Sequence, residues 1–175
     1  MALTPAQLAW YYTNRGLARD VSSNPASLGG MVATTRIPAG SLHNVFVGIG
    51  GLLNKAGVTD YRCIAIVNTG TLSLSSIKLF LQKIDTRGST LSVGLDPVGI
   101  VTNLTTTPVA QEVAGGQTAP AGVTFTVPTS AAPINVTGSL GPNSGFAVWL
   151  RRVTSSVAGV NPETNIIAVS GTSPI

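Results

Sequence analysis

Charge is what this chain has least of. Only 9% of its 175 residues are Asp, Glu, Lys or Arg, against roughly a quarter in ordinary soluble domains. Helical bundles and coiled coils need such residues in bulk on their surfaces, so both are excluded. Charge-rich, apolar-poor disorder is excluded as well, because 43% of the chain is hydrophobic. A single cysteine, Cys63, allows no internal disulfide. A single histidine, His43, has no ligand or catalytic motif around it and reads as a rim residue. Aromatics make up 5%. No apolar run approaches the roughly 20 residues of a membrane span, despite a mean hydropathy of +0.37. The first residues, MALTPAQLAWYYTNRG, lack the basic start and unbroken apolar stretch of a secretory signal. Synthesis in a reducing cytosol is the expectation.

What is present is Gly (20), Pro (11) and many Thr, Ser and Ala, in apolar segments of strand length. The net charge of +4 comes from basic residues scattered along the chain. This is too thin a footprint for nucleic-acid binding. Residues 1–30 read as an arm with a short helix over Pro5–Tyr12, capped by Thr4, then an irregular stretch broken by Gly16, Pro25, Gly29 and Gly30. Residues 31–175 read as the folded domain.

Strands are expected at Met31–Ile37 and His43–Ile49, on either side of the turn Pro38–Ser41, and at Ile77–Ile84 and Thr90–Leu95. Tyr61–Val67 is almost wholly apolar, as a central strand buried on both faces would be. Phe146–Val153 and Ile166–Ser170 form the last pair, joined by a loop holding Gly159 and Pro162. Val123, Phe125 and Val127 alternate with threonines, and Pro97–Pro120 is loop-like with a weak strand near Gly99–Leu104. A little helix is expected near Leu52–Lys55. With about seven to nine short strands, the fold class is all-β: an antiparallel β-sandwich, Ig-like or jelly-roll-like, with an extended N-terminal arm.

No constellation carries chemistry. The acids Asp20, Asp60, Asp85, Asp96, Glu112 and Glu163 are far apart in sequence, and Asp85 and Asp96 occupy turns. Cys63 sits in the most apolar strand as a small hydrophobe. Gly48-Ile-Gly50-Gly51 lacks the spacing and following helix of a dinucleotide loop, and Ser144 lacks the pattern of a nucleophile elbow. No catalytic residue, cofactor or metal ligand is assigned, and no enzyme activity is expected. The candidates for partner binding are Trp10, Tyr11, Tyr12, Arg15, Arg19, Arg151 and Arg152, since Trp, Tyr and Arg dominate interface hot spots. The alternative for the aromatic triplet is burial of the arm on its own sandwich. Arg151 and Arg152 alternate across a strand, so one of them can meet a carboxylate or a neighbouring subunit.

WYYTNRG…NPASLGG, DYRCIAIVNTGTLSL and GPNSGFAVWLRR…NIIAVSG together resemble a group of tailed-bacteriophage virion proteins. The resemblance covers most of the chain and departs over Asp96–Pro120. It implies a virion component. The expected role is a capsid decoration (cement) protein that binds the major capsid protein or other virion subunits and works as a homo-oligomer, trimer or dimer. The alternatives are a tail, neck or baseplate accessory protein, or a carbohydrate- or receptor-binding module. The last wants exposed aromatics in its loops, and 96–120 and 154–163 contain none.

Overall fold

The structure, a computed structural model, describes residues 7–16, 18–38, 44–46, 57–86, 88–154 and 164–173. The eight strands are β1 (Leu8–Asn14), β2 (Met31–Arg36), β3 (Thr59–Asn68), β4 (Ser75–Lys83), β5 (Ser89–Leu95), β6 (Ile134–Val136), β7 (Gly145–Thr154) and β8 (Ile166–Thr172). They form two antiparallel sheets, a five-stranded one in the order β2-β1-β3-β7-β5 and a three-stranded one in the order β6-β4-β8. The chain is a β-sandwich. Helical structure among the described residues amounts to little more than a 3-10 turn at Asn24–Ala26. None of their helices is long and apolar enough to cross a membrane.

β3 lies at the centre of the larger sheet, and its uniformly apolar sequence follows from that position. Ile64 and Ile66 face the smaller sheet, meeting Phe146, Val148, Ile77 and Leu79 in the first core. Cys63, Ala65 and Val67 face the other way, into a second core with Trp149 and Val32. Among the described residues no sheet covers that second face. It is closed by the long connection between β5 and β6, through Val101, Leu104, Val109, Ala110 and Val113. The smaller sheet follows a simple alternation, with Ile77, Leu79 and Leu81 inward and Lys78 and Gln82 exposed.

Two expectations change here. The helix over Pro5–Tyr12 is not formed from Leu8 onward, where the chain is β1, paired with β2 on one side and β3 on the other. The described part of residues 1–30 therefore does not project as an arm: β1 is an interior strand of the larger sheet. Aromatic residues suit a pleated, half-buried surface, and cross-strand packing of Trp10, Tyr11 and Tyr12 on β3 overrides a local capping signal. β6 was not expected, while Gly99–Leu104 and Val123–Val127 each contribute a lone bridge, Val101 to Gly145 and Thr126 to Val93. The helix at Leu52–Lys55, the glycines at 48–51, His43, the turn residues 39–41 and the 159–162 loop lie outside the described residues. Of the strand expected at His43–Ile49, only 44–46 are described, and they are not strand.

Candidate interaction surfaces

Alternation along β1 sends the aromatic triplet to both cores. Trp10 packs against the first core, and Tyr11 against the second. Tyr12 is buried at 6% exposure, its hydroxyl donates to the Asn44 carbonyl, and burial pushes its pKa up. The Tyr11 hydroxyl accepts from Arg36 Nε at 3.1 Å, with the guanidinium 5.5 Å from the ring centre.

The arginines are occupied in the same way. Arg15 Nη1 donates to the carbonyls of Ala114 (2.8 Å) and Val113 (3.3 Å), tying the end of β1 to the covering connection. Arg19 Nε donates to the Val32 carbonyl at 3.0 Å. Arg151 and Arg152 do part to opposite faces. Arg151 Nε donates to Ser92 Oγ at 3.1 Å and lies 5.0 Å from the Phe125 ring centre. Arg152 forms an ion pair with Asp60 at 2.8 Å and lies 4.6 Å from the Phe46 ring centre. The seven candidates are thus dispersed over several places, and the described chain itself supplies contacts to each.

Two further polar residues were not among the partner-binding candidates. Arg62, 6% exposed, donates from Nη1 to the Tyr61 carbonyl, and its Nε has no partner among the described residues. Burial lowers its pKa, opposed by the charge of Asp60 and reinforced by Arg152. Asp96, 3% exposed, is a turn cap through Oδ1, which accepts from the Val98 N–H at 2.9 Å. Its Oδ2 does more, accepting from Trp149 Nε1 at 2.7 Å and from the Gln111 N–H at 3.1 Å. One buried carboxylate therefore joins β5, β7 and the covering connection.

The Asn24-Pro-Ala-Ser-Leu-Gly-Gly30 segment has a structural use. Ser27 Oγ accepts from the Thr13 N–H at 2.8 Å and donates to the Cys63 carbonyl, clamping β1 beside β3. Gly29 has φ of +92°, and a Cβ there would stand 1.7 Å from the Gln111 carbonyl oxygen. Only glycine fits so close to another backbone.

Among the described residues no group of three or more His, Cys, Asp and Glu side chains could hold a metal ion. The Cys63 thiol is fully buried; burial raises its pKa well above the usual value, the nearby Asp96 charge adds to this, and a hydrogen bond from Thr13 opposes it. Such a thiol is inert as a nucleophile. An open groove runs between the end of β1 and residues 20–28, lined by Asn14, Asp20, Val21, Ser22 and Leu28. It holds no convergent set of catalytic groups.

The sheet edges differ in how they are finished. β2 is covered by residues 19–22, with the Thr34 N–H bonded to the Asp20 carbonyl at 3.0 Å. β5 exchanges hydrogen bonds of 2.7 and 3.0 Å with Thr126. β6 is only three residues long. β8 runs for seven residues, IIAVSGT, without a charge or a proline.

No protein-family model matches the chain, and the comparisons with curated proteins and with solved structures give no match either.

Proposed function

We propose that this protein is a structural subunit of a bacteriophage particle, a capsid decoration protein that stabilises the shell by bridging its subunits. The observation that carries this reading is where the charges go. Arg15, Arg19, Arg36, Arg62, Arg151 and Arg152 each make contacts within the chain, to carbonyls, hydroxyls, a carboxylate or aromatic faces, the first three from exposed positions and the last three from buried or half-buried ones. A chain with only 9% charged residues then presents surfaces made largely of Thr, Ser, Gly and Ala. Such faces can be covered by neighbouring subunits without stripping water from ions. The sequence resemblance adds the particle; the double covering of the central sheet adds the rigidity that a bridging subunit requires.

The experiment is a count and a deletion. Quantitative mass spectrometry of purified virions should find the chain at hundreds of copies per particle, and particles lacking it should rupture at lower temperature. A few copies per particle would assign it to the tail or neck instead. Its absence from virions, or unchanged particle stability without it, overturns the reading.

A further inference from the structure

We infer that β8 is a self-pairing edge, through which two copies of the chain associate antiparallel about a two-fold axis. This gives the oligomer in the preceding reading a surface and a symmetry, and it holds or fails independently of any particle.

The inference begins with the direction of hydrogen bonds in the smaller sheet. The Leu81 N–H bonds the Pro128 carbonyl at 2.9 Å, on the β6 side. Alternation then turns Lys78 and Phe80 toward β8, where they pair with Ser170 and Ala168. The backbone groups of Ile167, Val169 and Gly171 consequently point away from the sheet, and nothing among the described residues bonds to them. An exposed row of this kind is a template for another strand, and proteins usually blunt it with charge, proline, a bulge or a cover. The other edges here are covered or short. β8 has no charged residue and no proline.

A second copy fits this edge on three counts. First, a strand with no charge can face itself without placing like charges opposite each other. Second, with the axis at Val169, Val169 faces its counterpart and Ile167 faces Gly171. These are the outward-pointing residues, so their N–H and C=O groups meet in about six hydrogen bonds. Third, the same register keeps the faces in order. Ile167 and Val169, which pack against the first core, stay on the core side, while Ala168 meets Ser170 on the outer side. The two three-stranded sheets become one continuous sheet, which compensates for the small size of that layer opposite its five-stranded partner.

Sedimentation velocity on the full chain across a concentration series tests this, with circular dichroism and thermal melting to show that each variant folds. Ala168 and Ser170 lie on the outer face, so charging them leaves the core intact. Wild type should dimerise. In Ala168→Lys/Ser170→Lys, lysines face lysines twice across the axis, and the dimer should weaken by about tenfold or more. In Ala168→Lys/Ser170→Glu, each lysine faces a glutamate, and dimerisation should return. A monomeric wild type overturns the inference and leaves the edge to a strand of another protein. A dimer unaffected by the two lysines, or a Lys/Glu chain no more associated than Lys/Lys, overturns it also.

Discussion

Replacing Asp96 by asparagine changes no volume and removes only a charge and an acceptor, yet it should cost more than half the stability lost on deleting the side chain. The carboxylate receives three N–H groups, from Trp149 Nε1 (2.7 Å), Gln111 (3.1 Å) and Val98 (2.9 Å), in a site 3% exposed. Each hydrogen bond to a charged acceptor contributes about 1.5–3 kcal/mol, and a buried donor left without one costs about 1–3 kcal/mol. Asp96→Ala strands all three donors, which gives about 4–5 kcal/mol after partial relaxation. In Asp96→Asn, whichever way the amide turns, its NH2 group meets at least one N–H. The remaining bonds drop from charged to neutral strength, so the cost is about 3 kcal/mol. That is a large part of the roughly 5–15 kcal/mol that holds a domain folded. Urea unfolding followed by Trp fluorescence measures it, with an unchanged m-value placing the effect in the native state. An Asp96→Asn chain within about 0.5 kcal/mol of wild type refutes the three-way junction, since all three donors bond to that one carboxylate.

Three other outcomes follow from the same geometry. Gly29→Ala forces a Cβ against the Gln111 carbonyl and should cost well over about 2 kcal/mol, whereas Gly99→Ala, with φ of +74° and open space around it, should cost about 1 kcal/mol of backbone strain; thermal melts rank the two. Burial raises the Cys63 pKa above its usual 9.0, so the folded chain keeps a proton that the unfolded chain releases. This contribution is therefore full below pH 9 and fades as the pH rises beyond it. Native protein should resist thiol reagents until it unfolds, and Cys63→Ala should flatten the alkaline slope of stability against pH. Truncation of residues 1–28 removes β1 from between β2 and β3, so the shortened chain should fail to fold, as circular dichroism would show; a folded truncation would return this segment to the status of an arm.

The readable parts of the fold were those in which one residue pattern had one cause. β4 alternates because one of its faces is wet, and β3 is continuously apolar because both of its faces are dry. β1 was misread because Thr4 and Pro5 are good helix starters, while the pairing that makes Leu8–Asn14 a strand lies more than fifty residues downstream at β3. The covering connection reads as loop-like with a weak strand, while the use of its spaced apolar residues Val101, Leu104, Val109 and Val113 as a lid for the second face emerges only in the fold. Asp96 was legible as a turn cap and illegible as a junction, since its partners Gln111 and Trp149 are brought in only by tertiary structure. Likewise the aromatic and arginine candidates carried a genuine hot-spot composition, which the chain uses on itself.

The place of β7 in the larger sheet also sets the order in which the molecule can be made. β7 sits between β3 and β5, so the two earlier strands cannot become neighbours through any local hairpin and must await a strand that ends at Thr154. Until then Ile64, Ile66, Leu91 and Val93 lack Phe146, Val148 and Leu150, the part of their core that β7 supplies. Long-range pairing of this kind is slow and leaves apolar strands open to wrong partners. Completion of the larger sheet should therefore wait until β7 has been made. Its yield should depend on how well the nascent chain is protected until β7 arrives.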